Sequence, residues 1–328
     1  MSTKIKPPRW VLGWAMIGMA VQLTTAADFF ENFAAPPAPA NWRTHGDASL
    51  FPWNPAGHLD VTWDSSRTNS YFYHPLGTIL GKDDDFTLAF DLKLISAVPG
   101  FTEGKPNTFE LAIGFINLAN ATHTNFFRGK GTGTVRNIFE LDYFPNNGLG
   151  ATLWPAVWST NASLSYRDAS DYTLIELPLN ASLHVVMIYT AADRTLRTTM
   201  TSNQQPFGPI NALVLAPFFT DFRVDAFAIC SYSDHATSGS LHAVGEIDNV
   251  HLTLPPAPVV NFAIAQYGDG FELSFVSRPN WFYRAETTAR FDGWQASGSE
   301  VAGTGGVINL PAVSTEPAAF WQIHATRP

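Results

Sequence analysis

Two carboxylates stand two residues apart in the stretch Asn137-Ile-Phe-Glu-Leu-Asp-Tyr-Phe-Pro-Asn146, and no other part of the chain is better furnished for chemistry. Side chains along an extended strand alternate between its two sides. Ile138, Glu140, Asp142 and Phe144 therefore share one face, and Phe139, Leu141 and Tyr143 share the other. One face packs and the other presents Glu140 and Asp142. Such a pair can cleave a glycosidic bond, accept hydrogen bonds from sugar hydroxyls, or simply face water. The ~6.8 Å step between alternate strand residues is compatible with the separation of about 6.5 to 9.5 Å used by inverting hydrolases. No Gly-x-Ser-x-Gly, His-Glu-x-x-His or cysteine–histidine cluster offers another reaction.

The elements that must hold these acids read as strands. Phe86 to Leu94 alternates cleanly, with Phe86, Leu88, Phe90, Leu92 and Leu94 on one face and Thr87, Ala89, Asp91 and Lys93 on the other. Phe109 to Asn117 follows the same pattern, and further strands are expected at Ser182 to Thr190, Thr195 to Thr201, Phe222 to Tyr232 and Val244 to Leu254. Aromatics make up 13% of the chain and charged residues only 14%, a balance that favours a loop-rich β-protein over a charged helical one. Short strands, turn signals and no helical period predict an antiparallel two-sheet sandwich of the jelly-roll kind. Trp42, Trp53, Trp63, Tyr71, Phe72 and Tyr73 read mainly as core.

Loops contribute fewer candidates. Arg128-Gly-Lys-Gly-Thr-Gly-Thr134 departs from the phosphate-loop spacing and lies between strands, so it reads as a flexible connection from which Arg128 reaches toward a ligand. Trp154 and Trp158, just beyond the acidic strand, are placed to cover a sugar bound there. Asp83-Asp84-Asp85 lacks the glycine and distal glutamate of a calcium hand and reads as a solvated turn.

Lys4, Lys6 and Arg9, the apolar run Trp10 to Leu23 and the small residues Thr24 to Ala27 form a secretory signal, with cleavage expected near residue 26. That run is shorter than the ~20 residues of a spanning helix, and no second one follows, so no membrane span is expected after cleavage. Cleavage takes three positive charges from a chain of net −9, leaving about −12, which argues against nucleic acid as a partner. Cys230 is the single cysteine and reads as a small buried hydrophobe on the face of Val224, Ala226 and Ala228. The motifs at Asn120, Asn161 and Asn180 match the glycosylation acceptor pattern. Pro255-Pro-Ala-Pro258 separates a first domain, 27 to 254, from a second, 259 to 328, in which five short strands suggest a small β-sandwich.

The Asp-Phe start at Asp28, the strand Phe86 to Leu94, the acidic strand at Glu140, the run Phe222-Arg-Val-Asp-Ala-Phe227 and the closing Gly245-Glu-Ile-Asp-Asn-Val250 together resemble the concanavalin A-like lectin and glucanase superfamily. The whole chain is similar to two-domain exported proteins of Verrucomicrobia-type bacteria, whose tail resembles an immunoglobulin- or fibronectin-like module, here in Trp281 to Glu286, Phe291 to Trp294 and Phe320 to Ile323. This resemblance implies a jelly roll that takes polysaccharide or another glycan outside the bacterial cytoplasm, secreted, periplasmic or on the cell surface. Its laminarinase-type glucanases place a nucleophile, a helper and an acid/base on one strand face. Glu140 matches the nucleophile and Asp142 the helper, but Phe144 and Pro145 stand where the acid/base belongs. The chain thus reads as a non-catalytic, lectin-like binder using Glu140, Asp142, Arg128, Trp154 and Trp158, without a cofactor. A glycoside hydrolase using Glu140 and Asp142, and a structural or adhesion protein, are the alternatives. The resemblance further implies a structural calcium site near the ends of the first and last strands, for which Asp28, Glu31, Glu246 and Asp248 are the candidates.

Overall fold

The computed structural model describes residues 27–128, 135–160, 167–168, 172–267, 270–290, 293–312 and 319–327. The secretory-type segment, the glycine-rich loop at 129–134, the Asn161 acceptor, the turn at 268–269 and Phe291 with Asp292 lie outside the described residues. The chain forms two compact units that meet in sequence at Pro255 and Pro256.

In the larger unit the long strands are, in order, β1 (Ala27–Glu31), β2 (His58–Asp64), β3 (Ser70–Leu80), β4 (Phe86–Pro99), β5 (Leu111–Ile116), β6 (Ile138–Phe144), β7 (Thr152–Trp158), β8 (Ser182–Thr190), β9 (Thr195–Ser202), β10 (Val224–Ser231) and β11 (Leu241–Leu254). One sheet runs Gln205–Phe207, β9, β8, β4, β11, β2, Trp53–Asn54, with β1 added to β11 and Leu213–Val214 to β9. The other runs Arg167–Asp168, β7, β6, β5, β10, β3, Arg43–His45, with Thr173–Leu174 added to β7. The strand pairs are antiparallel, and β2, β3, β4 and β5 alternate between sheets, as do β10 and β11. This is a two-sheet jelly-roll sandwich, the fold class expected from the strand pattern.

The alternation in sequence explains the packing. Phe86, Leu88, Phe90, Leu92 and Leu94 are all buried, and Phe86 meets Phe115 and Phe139 of the opposite sheet with ring centroids 5.4 and 4.9 Å apart. At the other end Trp42 stacks on Phe72 at 4.7 Å and meets Phe227 edge-on at 6.0 Å. Trp63, Tyr71 and Tyr73 are buried as well, so most of the early aromatics are core. Asp83-Asp84-Asp85 forms a turn, but Asp84 is buried rather than solvated. Its carboxylate accepts a hydrogen bond from the Gly81 amide at 2.8 Å, which compensates the cost of burying it.

Because Phe139 points between the sheets, its neighbours Glu140 and Asp142 point to the outer face of β6. In register beside them stand Gly114 and Ala112 on β5, then Ala228 and Cys230 on β10. Small side chains there leave a hollow, and the chain fills it with the segment after β5. Its one-turn helix α1 (Leu118–Ala121) starts at Asn117, whose side chain caps the Asn120 amide. The Leu118 amide donates to Asp225 at 2.8 Å, Tyr71 donates to the Ala121 carbonyl at 3.0 Å, and Asn69 donates to the Phe126 carbonyl at 2.8 Å. Ala121 and Phe126 are buried as a result.

The smaller unit comprises β12 (Val259–Tyr267), β13 (Gly270–Ser277), β14 (Phe282–Thr288), β15 (Val307–Ala312) and β16 (Phe320–Thr326). One sheet is β12-β13-β15, and in the other β14 pairs with β16, Gln295–Ala296 and Val301–Ala302. Leu273, Phe275, Tyr283, Ala285 and Leu310 form its interior, with Phe275 and Tyr283 4.9 Å apart.

Gly114 is the tightest point of the floor under the hollow. A Cβ there would lie 2.3 Å from the Phe139 carbonyl oxygen and 2.4 Å from the Glu140 Cα, both backbone atoms that cannot swing away. Gly114→Ala is expected to lower unfolding stability by about 2–3 kcal/mol, read as an earlier urea midpoint with an unchanged slope.

Candidate functional site

The two acids of β6 do not stand open on the outer face. Arg128, carried in by the segment that fills the hollow, places its guanidinium against both of them: one terminal nitrogen lies 2.7 Å from Glu140 Oε1 and 2.7 Å from Asp142 Oδ2. A third acid, Glu110, takes the Arg128 Nε at 2.9 Å from the residue preceding β5. Tyr232, just past β10, donates its hydroxyl to Glu140 Oε2 at 2.8 Å. The guanidinium also lies 5.0 Å from the Tyr232 ring centroid and 5.4 Å from that of Trp158, so aromatic faces flank it. Glu140 is 0% exposed, Asp142 2%, Arg128 3% and Glu110 6%, which leaves a sugar no surface to touch.

Electrostatics in this cluster follow from counting charges. Three carboxylates face one guanidinium in a setting stripped of water, where like charges are costly. Burial pushes the Glu140 carboxyl well above the ordinary value of 4.5, and the charge of Asp142 adds to the rise against the opposing pull of Arg128. Glu140 is thus shifted toward its protonated form. Burial alone would disfavour the charge on Arg128, but Asp142, Glu110 and Glu140 together more than offset it. Burial likewise holds the Tyr232 hydroxyl and the Cys230 thiol well above their usual ranges, so both stay neutral. Cys230 is fully buried on the outer face of β10 beside Tyr71, as a small residue rather than a reactive one.

Several sequence expectations change in this light. Arg128 is no mobile reach toward a ligand, but the centre of a sealed ion-pair cluster. Trp158 is buried beneath it and does not cover a sugar. A third carboxylate is present after all, supplied by Glu110, but all three acids are gripped by Arg128. Glu110 and Tyr232 were missed by sequence reasoning. Glu110 falls in the alternating run Phe109 to Asn117, opposite in side to Leu111 and Phe115, and that parity was the available signal.

Trp154 has a different fate. It stands opposite Asp142 on β7 and shares the outer face, yet it is only half-buried, with its ring 6.0 Å from that of Phe144. Leu174, 69% exposed, pairs with Thr152 and shares that side of the sheet, while Leu149 at the tip of the β6–β7 loop is 87% exposed. The Asn146 side chain accepts from the Gly148 and Gly150 amides at 2.8 and 3.0 Å and so shapes this loop. Beyond the sealed cluster, then, the sheet ends in an accessible apolar shelf.

The four acids proposed for calcium do not converge. Asp28 accepts from Thr253, Glu31 from the Phe33 amide and the Trp42 indole, Glu246 pairs with Lys93 at 3.0 Å, and Asp248 accepts from the Asn249 amide at 2.7 Å. Among the described residues no three His, Cys, Asp or Glu side chains are grouped to hold a metal ion, so these acids do not fit the site the resemblance implies. Nor is any described helix long and apolar enough to cross a membrane.

No protein-family model matches the sequence, and no curated protein matches it. Solved structures similar to the chain include legume-type lectins with a concanavalin A-like jelly roll. Lectin II from Ulex europaeus is 12% identical, with 70% of this chain and 98% of that one covered at a TM-score of 0.47. Peanut lectin is 14% identical over 71% and 99% of the two chains, with a TM-score of 0.44. Arcelin-5, a lectin-like defense protein from Phaseolus vulgaris, is 11% identical over 70% and 99%, with a TM-score of 0.41.

The raised Glu140 carboxyl fixes the sign of a pH effect. Its folded value lies above its unfolded one, so between the two the folded state holds more protons and stability falls as pH rises. Above about pH 4.5 wild type is expected to lose stability relative to Glu140→Gln, which cannot ionise. Urea titrations of both proteins at a series of pH values measure the difference. Arg128→Met removes the cation that Glu110, Glu140 and Asp142 share and is expected to cost about 3–5 kcal/mol in the same assay.

Proposed function

We propose that the larger unit is an exported, non-catalytic carbohydrate-binding module whose contact surface is the shelf of Phe144, Trp154 and Leu174 rather than the acids of β6. The burial of Arg128 between Glu110, Glu140 and Asp142 carries this reading. Glycoside hydrolysis needs one carboxyl free to protonate the leaving oxygen and a second open to the anomeric carbon or to a water. Here Glu140 is sealed in, Asp142 is engaged, and the guanidinium bridges the two.

Recognition of a sugar asks for less: an aromatic face against the apolar side of the ring, and a few polar groups at the margin. Trp154 and Phe144 supply the first, and Asn146 and Asn147 of the adjoining loop bring amides to the second. The jelly-roll fold is in keeping with this role, but the site argument rests on the half-buried tryptophan. Export is supported by the basic and apolar segment of residues 4–23.

A glycan array probed with wild type, Trp154→Ala and Phe144→Ala tests the assignment. Wild type is expected to bind a defined glycan class, and Trp154→Ala to weaken that binding by about tenfold or more. Binding that survives both substitutions unchanged removes the shelf. Release of reducing sugar by wild type but not by Glu140→Gln would replace binding with hydrolysis.

A further inference from the structure

We propose that the free edge of β12 in the smaller unit is where a second copy of this chain docks, by antiparallel strand addition about a twofold axis at Ala265. Among the described residues β12 pairs with β13 alone, so one side of a nine-residue strand presents backbone N–H and C=O groups to solvent. Proteins ordinarily protect such an edge with charge, proline, a bulge or short length. Several other sheet ends among the described residues do so. Gln205–Phe207 contains Pro206, β15 contains Pro311, Arg43–His45 and Arg167–Asp168 are short and charged, and Trp53–Asn54 is two residues long.

β12 differs from all of these. Val259 to Tyr267 contains no charged residue and no proline. Its one protective device, the irregularity between Val260 and Ala263 with Asn261 at φ 54°, lies at the beginning of the strand. From Ala263 to Tyr267 the ladder to β13 is regular, and Ala263, Ala265, Gln266 and Tyr267 are exposed, Tyr267 by 73%.

The sequence of this stretch selects the partner. Two antiparallel copies centred on Ala265 set Ala265 against itself, Ile264 against Gln266 and Ala263 against Tyr267. On one face each large Tyr267 ring lies over a small Ala263, with the two alanines at the axis leaving room for both rings. On the other face each Ile264 covers a Gln266. Size thus complements size under twofold symmetry, the arrangement an isologous contact requires. Copies of an acidic chain repel one another, and this edge is a place where they can meet without opposing charges of like sign. Five residues a side bury less than the ~1,200 Å² of a stable interface, so the dimer is weak and grows in over roughly 10 to 500 µM.

Sedimentation of the full chain across that range is expected to show a reversible monomer–dimer equilibrium. Ala265→Glu places like charges opposite each other and should weaken it about tenfold, with no change in melting temperature beyond a few degrees. Ala265→Cys should form a disulfide-linked dimer on mild oxidation, since two residues facing each other across an antiparallel pair satisfy disulfide geometry and Cys230 is buried. Gln266→Cys, which faces Ile264 of the other copy, should not. Monomers throughout the range, dimers that persist in Ala265→Glu, or equal cross-linking by both cysteine variants would each overturn the proposal.

Discussion

A buried guanidinium held by three carboxylates is the constraint on which the rest of the larger unit depends. Taking four ionisable groups out of water is expensive, and the expense is recovered only when each finds a partner of opposite charge or a hydrogen bond. Arg128 meets that condition through Glu110, Glu140 and Asp142, with Tyr232 completing the shell of Glu140. The cluster therefore fixes the path of the segment from Asn117 to Arg128 across the outer face, and with it the closure of the hollow over the small residues of β5 and β10. An outer face left open would have offered two acids to a ligand. A face closed in this way offers none, and the aromatic rings left partly accessible at its margin are those of Trp154 and Phe144.

This arrangement separates two uses of the same residue types. Carboxylates two apart on a strand suit acid–base work when one is protonated and both face a substrate. Here one carboxyl is indeed raised, by burial first and by a neighbouring acid second, as catalytic acids are. What is missing is access. Perturbed ionisation thus marks a site only together with a path from solvent, and the partner that blocks the path is a cation of the chain itself.

The sequence made the sheets legible and left the closure of the site hidden. Period-two alternation in Phe86 to Leu94 and Asn137 to Asn146 correctly sorted core-facing from outward-facing side chains, because a strand has only two faces and the apolar one must be buried. That parity placed Glu140 and Asp142 on one side, as the structure does. It could not say what lies over them, since Arg128 approaches from a loop whose course is set by tertiary contacts with Tyr71, Asn69 and Asp225, each 50 or more positions from the loop residue it bonds. Asp84 escaped for a different, local reason: the turn folds back so that the Gly81 amide donates to its carboxylate. The candidate calcium acids show the converse error, where proximity of strand ends was taken for convergence of side chains.

Carboxyl footprinting of the native protein, using a water-soluble carbodiimide with an amine and mass spectrometry of the peptides, tests the sealed cluster most directly. Asp83 and Glu103, which are exposed, should be modified rapidly, while Glu110, Glu140 and Asp142 stay unmodified until the protein is unfolded. Modification of Glu140 or Asp142 in the folded protein at the rate of Glu103 would contradict the account and return those acids to the surface on which a ligand is met.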